Sequence, residues 1–215
     1  MWSIVRVYTL PNKSLIDYFK TIPVIQRMYH VTDLEGICDH ERKHVFADVP
    51  TPYTYMRHGL PKDGLLALEP DVETGFFGRT NKISHREPVT HDFGAIKELP
   101  ADLCLNTSHY NLFYYLKQIN EQTQVPVMYY QSATSGGSPD NEVAIVFDGD
   151  LFVYQYDSES QKPVQVIKNH NIEIQTSVLQ KGLEHLGLSL PTHYFVLHTS
   201  TFDWHRYDIF SRWLY

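Results

Sequence analysis

The chain has 215 residues, of which 42% are hydrophobic and 20% are charged, and this balance excludes a disordered polar segment. Its formal net charge is −7, from 18 basic and 25 acidic side chains, which argues against a nucleic-acid-binding protein with a basic face. No run of about 20 apolar residues predicts a membrane-spanning helix, and two cysteines in a chain of this size indicate a reducing, cytoplasmic location.

The first hundred residues predict a strand and a helix followed by a loop-rich segment, residues 49–100. Six prolines and five glycines interrupt any regular pattern in that segment, so we expect only short strands within it. Val24–Val31 has a pattern that fits either a strand or a helix. The other elements predicted here are a strand at Trp2–Thr9, helices at Ser14–Ile22 and Gly36–Asp48, and short strands at Gly64–Leu68 and Gly75–Arg79.

The second half predicts a regular series of helices and strands. Asp148-Gly149-Asp150 separates two apolar runs, and an Asp-Gly pair is typical of a tight hairpin because glycine accepts positive φ. A loop of small residues is expected at Ser132–Pro139. The elements predicted in this half are a helix at 106–122, strands at Val125–Gln131, Glu142–Phe147 and Leu151–Tyr156, an edge strand at Pro163–Ile167, a helix at Thr176–Leu186 with Gly187 as its C-cap, and a strand at His193–Leu197.

The order of these elements predicts an α+β fold. Short hairpins join the middle strands, so we expect a mainly antiparallel sheet with two or three helices packed on it and a loop-rich middle segment. Residues 101–215 are predicted to form an α+β domain with a central hairpin. Residues 1–100 form either a separate N-terminal lobe or a part of the same domain.

Negative charge is concentrated in the second half of the chain. Residues 101–215 carry 6 basic and 12 acidic side chains, a net charge of −6, and no basic residue lies between Lys117 and Lys162. Such a window forms either the solvated face of a sheet or a docking surface for a basic protein, whose approach acidic groups speed and orient. The candidate partner-binding residues are Asp140, Glu142, Asp148, Asp150, Tyr154 and Asp157.

A zinc site is the first catalytic alternative. His40-Glu41-Arg42-Lys43-His44 matches H-E-x-x-H, in which a helix places both histidines on one face where they reach one zinc ion. Glu41 would then take a proton from the zinc-bound water. The pattern resembles that of zinc metalloproteases, which implies a zinc-dependent hydrolase, but charged residues occupy its two central positions. An exposed helix with intrahelical ion pairs is the other interpretation.

A second, weaker alternative comes from residues 28–37. His30-Val31-Thr32 resembles the His-x-Thr strand of some NAD-dependent ADP-ribosyltransferases. By that resemblance His30 and Thr32 would hold the ribose and amide of the nicotinamide group. A strand that leads into a helix explains the same residues without any ligand.

The stretch from Leu105 to Trp204 resembles bacterial polymorphic-toxin immunity proteins. The resemblance rests on the helix before Gln124, the strand at Val125–Tyr130, the turn Ser135-Gly136-Gly137, the strand at Glu142–Phe147 and the closing segment at His198–Trp204. It implies a non-catalytic protein, without a cofactor, that binds and blocks a cognate toxin. Together with the acidic window, it predicts an intracellular inhibitor of a basic enzyme, with no nucleic-acid or membrane partner.

Overall fold

A computed structural model of the chain describes residues 2–38, 59–71, 99, 107–135, 138–157, 161–167, 170–188 and 202–212. Most of the predicted helix at Gly36–Asp48 lies outside these residues, and so do the predicted strands at Gly75–Arg79 and His193–Leu197.

The described part of the chain contains nine strands, three α-helices and one 3-10 helix. The strands are β1 (Trp2–Thr9), β2 (Ile25–Val31), β3 (Leu65–Pro70), β4 (Val127–Ser135), β5 (Ser138–Asp148), β6 (Asp150–Asp157), β7 (Lys162–Ile167), β8 (His170–Glu173) and β9 (Asp208–Ser211). The helices are α1 (Lys13–Thr21), α2 (Thr107–Thr123), α3 (Val178–Glu184) and the 3-10 helix Trp204–Tyr207.

All nine strands belong to one sheet, in the order β8-β7-β6-β5-β4-β1-β3-β2-β9. Each described pairing is antiparallel. The predicted α+β class with a mainly antiparallel sheet is therefore confirmed. β1 pairs with β3 on one side and with β4 on the other, so strands from both halves of the chain share the sheet. The division of the chain into two regions at residue 100 stays a prediction.

Both faces of the sheet are buried, because side chains alternate between two apolar cores. On the first face, Val7, Tyr129 and Ile145 lie at one level of neighbouring strands and pack in the core that contains the apolar side chains of α1 and α2. On the second face, Tyr8 and Met128 pack with α3, with residues 34–37 and with the C-terminal segment at 202–207. The molecule is thus a sheet between two layers.

Local capping signals explain where the short helices begin. The Asn12 side chain accepts a hydrogen bond from the Ser14 backbone N–H at 2.9 Å, and α1 ends just before Pro23, close to the predicted bounds. The Ser177 hydroxyl caps α3 by accepting from the Gln180 N–H at 3.1 Å. Gly187 has φ +69° just after α3, as expected of the residue that stops this helix.

One predicted loop is a strand, one predicted strand is not at the edge of the sheet, and one strand was not predicted. Ser132–Pro139 is not a loop, since β4 continues to Ser135 and pairs there with Ser138 of β5. Pro163–Ile167 does form β7, but β8 pairs with it and occupies the edge. The C-terminal strand β9, paired with β2, was not predicted. In each case a partner strand, rather than the local pattern, decides the structure.

Two other strand predictions have clear outcomes. Val24–Val31, which fitted either element, is the strand β2 (Ile25–Val31). The Asp148-Gly149-Asp150 hairpin is confirmed: the two aspartates face each other across the turn, and Gly149 has φ +72°. A left-handed residue of this kind matches the twist of the two strands that it joins.

Two glycines have a similar left-handed backbone conformation, but we expect them to differ in their tolerance of a side chain. A Cβ on Gly64 (φ +85°) would lie 2.4 Å from the Val31 carbonyl oxygen, whereas a Cβ on Gly149 (φ +72°) would meet nothing within 4 Å. Gly149→Ala is expected to cost about 1 kcal/mol, the cost of the left-handed conformation alone. Gly64→Ala should cost about 3 kcal/mol, because β2 and β3 must also separate. Urea unfolding of both variants measures the difference, and equal losses would contradict the close approach.

His109 is buried at the start of α2. Its ring is 1% exposed and lies edge-on to the Tyr129 ring at 5.8 Å between centroids, with the Phe113 ring at 6.4 Å. Burial lowers the pKa of His109 from 6.5 to about 4. The folded protein therefore holds a neutral imidazole in a range of pH where the unfolded chain binds a proton.

This burial predicts that the free energy of unfolding decreases as the pH is lowered from about 6.5 to 4, because only the unfolded state takes up the proton in this range. From pH 7 to pH 4.5 the wild-type protein is expected to lose about 2 to 3 kcal/mol through this histidine. His109→Gln should remove that part of the loss, and His170→Gln, on the exposed strand β8, should not. Urea unfolding at the two pH values tests this, and an unchanged pH dependence in His109→Gln would contradict it.

Candidate functional site

The turn between β5 and β6 lies where α2 and α3 both end. Asn120, in the last turn of α2, accepts a hydrogen bond from the Gly149 backbone N–H at 3.2 Å and donates one to the Val125 carbonyl at 3.0 Å. His185, the C-cap of α3, bonds Asp148 through Nδ1 and Oδ2 at 2.8 Å. Side chains from both layers thus fix the tip of the hairpin.

Asp148 and Asp150 flank this turn, and Glu121 and Glu184 are the sequence neighbours of the two residues, Asn120 and His185, that contact it. We call these four acidic residues the acidic end of the molecule: Glu121, Asp148, Asp150 and Glu184. Glu121 is 62% exposed, Asp148 is 38% exposed, and Asp150 also faces solvent. The carbonyl groups at the C-termini of α2 and α3 add partial negative charge at the same place.

The two lysines near the acidic end leave its charge only partly compensated. Lys117 lies 4.0 Å from Glu121 and Lys181 lies 2.8 Å from Glu184, each one helical turn before its partner. Exposed pairs of this kind are worth at most about 1 kcal/mol and exchange readily with other partners. Within the described part of the chain, His185 is the only basic side chain that pairs with an aspartate of the hairpin. A cationic group that approaches this end of the sheet therefore meets carboxylates in excess.

His185 connects the acidic end to the interior. Its Nε2 lies 2.9 Å from the hydroxyl of Tyr154, and its ring lies 4.5 Å from the Phe152 ring between centroids. Burial raises the pKa of Tyr154, which is 2% exposed, so the phenol stays protonated. Because a carboxylate only accepts, Nδ1–H of His185 donates to Asp148, and the imidazole holds that carboxylate in a fixed direction.

Glu142 fastens α3 to the sheet. Its side chain is 8% exposed, and Oε1 accepts hydrogen bonds from the Tyr130 hydroxyl at 2.9 Å and from the Leu179 backbone N–H at 3.2 Å. The second bond satisfies an N–H in the first turn of the helix, which has no partner within the helix itself. Desolvation raises the pKa of Glu142, because burial penalises the charged form.

The six residues predicted to bind a partner do not lie together. Asp148 and Asp150 belong to the acidic end, whereas Glu142 and Tyr154 are buried and engaged in the interior. Asp140 and Asp157 lie towards the other end of the same hairpin. At roughly 3.3 Å per residue, Asp157 is separated from Asp150 by about 23 Å.

Sequence reasoning did not select Glu121 and Glu184. Each lies in the last turn of its helix, near Asn120 or His185, the residues that contact the hairpin tip. The useful signal was present, because each predicted helix carries an acidic residue in its last turn and the hairpin turn was recognised. Only the fold shows that the ends of both helices lie at this hairpin turn.

The structure describes the residues of only one of the two catalytic alternatives. His40, Glu41 and His44 lie outside the described residues. His30 Nε2 lies 2.7 Å from the Asp63 carbonyl oxygen, and the Thr32 hydroxyl donates to Asp33 at 3.3 Å, so both side chains bond to neighbouring residues. In the described part of the chain, no three His, Cys, Asp or Glu side chains are grouped so as to hold a metal ion.

Comparisons with known proteins do not add to this description. No protein-family model, curated protein or solved structure matches the chain. Among the residues that the structure describes, no helix is both long enough and apolar enough to cross a membrane.

The two contacts of Glu142 predict different results for two substitutions. Glu142→Ala is expected to destabilise the protein by about 2 kcal/mol, because it leaves the Tyr130 hydroxyl and the Leu179 N–H buried without their acceptor. Glu142→Gln keeps an acceptor oxygen and removes a charge that burial disfavours, so it should cost clearly less at pH 7. Urea unfolding compares the two, and equal losses would mean that the charge itself holds α3.

Proposed function

We propose that the chain is a non-catalytic protein-binding module of the immunity type, which neutralises a basic enzyme by covering it with the acidic end. The observation that carries this proposal is a hairpin turn flanked by Asp148 and Asp150 and held by Asn120 and His185 at the ends of two helices, where Glu121 and Glu184 are the adjacent residues. The resemblance of residues 105–204 to bacterial immunity proteins supports it independently, and a cytoplasmic location belongs to the same proposal.

Electrostatics favours such a partner. Carboxylates that outnumber cations at one end of a molecule attract a positively charged surface, which raises the association rate and orients the encounter. A basic toxin such as a nuclease binds phosphate groups in a positive groove. A row of carboxylates that enters this groove would exclude the substrate, so inhibition needs no catalytic group in the inhibitor.

Rigidity favours tight binding by the same surface. Asn120 and His185 hold the hairpin tip from opposite layers of the molecule. Little conformational entropy is then lost when Asp148 and Asp150 contact a partner, and preorganisation of this kind raises affinity.

The alternative is a zinc-dependent hydrolase that uses His40, Glu41 and His44, on the strength of their spacing. Metal analysis of the purified protein decides it. Stoichiometric zinc that is lost in His40→Ala would support this alternative, and a protein purified without metal would contradict it.

The binding proposal is tested with the protein encoded by the neighbouring gene. If the chain is an immunity protein, we expect that gene to encode the toxin that it neutralises. Submicromolar binding is expected, together with loss of the toxic activity of that protein. In Asp148→Asn/Asp150→Asn the affinity should fall about 10-fold, and the wild-type affinity should weaken as salt rises, because two charge contacts contribute about 1 kcal/mol or less each.

Glu173→Gln is the matched control. It removes an exposed acid from β8, three strands away from β5, and should leave binding unchanged. Lysozyme, a basic protein with no relation to this chain, measures attraction by charge alone. The proposal fails if the neighbouring protein does not bind, or if it binds no better than lysozyme. The specific role of the acidic end fails if the hairpin and control variants bind equally well.

A further inference from the structure

A cleft of about 380 Å³ opens on the second face of the sheet, away from the residues of the acidic end. Its floor is formed by side chains of three adjacent strands, and its wall by the segment that leads into the 3-10 helix. The residues that matter for its chemistry are Arg6, Arg27, Tyr29, Glu69, Asp203 and Trp204. This volume lies at the lower end of the range, roughly 300 to 1,000 Å³, of small-molecule sites.

Two arginines lie on either side of one glutamate across the floor. Arg6 Nη1 of β1 lies 3.7 Å from Glu69 Oε2, and Arg27 of β2 lies opposite Glu69 of β3 in the strand register. The Tyr29 hydroxyl donates to the Glu69 carboxylate at 2.9 Å and is in hydrogen-bond contact with Arg27. Burial and the Glu69 charge raise the pKa of Tyr29 to about 12, so it stays protonated. Arg6 is therefore paired with Glu69, whereas Arg27 reaches that carboxylate only through Tyr29.

Arg6 is largely buried beside the cleft. Its side chain is 15% exposed, and its guanidinium carbon lies 5.3 Å from the Trp204 ring centroid and 6.0 Å from that of Tyr29. Its Nη1 donates to the Val5 carbonyl at 3.1 Å, whereas its Nε is buried and has no acceptor among the described residues. A buried guanidinium with one unsatisfied donor beside a cleft can complete its hydrogen bonding with a ligand.

Asp203 supplies negative charge at the wall. It directly precedes the 3-10 helix, is exposed, and makes no capping hydrogen bond with its side chain in the described part of the chain. The cleft thus contains two guanidinium groups and two carboxylates, those of Glu69 on the floor and Asp203 at the rim, with aromatic rings between them. A simple anion would leave Asp203 uncompensated, and a simple cation would leave the arginines with a surplus of positive charge.

We propose that this cleft binds an α-amino acid as its zwitterion. The ligand carboxylate would bind the two arginines, because guanidinium groups match carboxylates in geometry and charge. The ligand ammonium group would face Asp203. The side chain of the amino acid would lie against Trp204 and Tyr29, whose rings stand 5.0 Å apart between centroids and favour an aromatic or apolar group.

Isothermal titration calorimetry with three related compounds tests the proposal. L-Phenylalanine carries both charged groups, 3-phenylpropionate lacks the amine, and 2-phenylethylamine lacks the carboxylate. We expect phenylalanine to bind at least 10-fold more tightly than either analogue. If either analogue binds as tightly as phenylalanine, the cleft is a simple anion or cation site and the proposal is wrong. Absence of phenylalanine binding at about 10 mM also overturns it.

Substitutions at one half-buried and one exposed position of the cleft locate the binding while leaving the two apolar cores unchanged. Arg27→Gln and Asp203→Asn should each weaken phenylalanine binding about 10-fold, the first through the carboxylate and the second through the ammonium group. Lys162→Gln removes a charge on β7, four strands away from β1, and should have no effect. Equal binding by all three variants would show that phenylalanine binds elsewhere and would overturn the assignment of this cleft.

Discussion

The pairing of β1 with β4 is the interaction on which the rest of the structure depends. Eight residue pairs, from Trp2 with Thr134 to Thr9 with Val127, join strands that are more than a hundred residues apart in the chain. The Thr9 hydroxyl fixes the end of this ladder by donating to the Pro126 carbonyl at 2.8 Å. Without this ladder the sheet would separate into two smaller sheets, and a slip of one residue would exchange its two buried faces.

The two candidate sites lie on opposite sides of that ladder. On the β4 side, α2 packs on the first face and α3 on the second, and the ends of both helices contact the same hairpin turn. On the β1 side the ladder brings Arg6 next to β3 and β2, where the charges of the cleft lie. Our two proposals assign a large basic partner to the first site and a small zwitterionic ligand to the second.

Sequence reasoning succeeded where the structure is decided locally. The hairpin turn at Gly149 and the helix end at Gly187 depend on a few neighbouring residues, and both were predicted closely. It failed where burial or a distant strand decides. Glu142 looked like a surface acid, but its partners Tyr130 and Leu179 lie 12 and 37 residues away. The aromatic surroundings of Arg6 come from a segment almost 200 residues later, which no local pattern indicates.

The central claim, that a partner covers the acidic end, is tested most directly by hydrogen–deuterium exchange of the chain alone and with the protein encoded by the neighbouring gene. The account predicts slower exchange on binding in three segments, the turn at 148–150 and the last turns of α2 and α3. The backbone around β7 and β8 should exchange at an unchanged rate, since it lies away from the contact. Protection confined to β7 and β8, with the hairpin turn unaffected, would contradict the account.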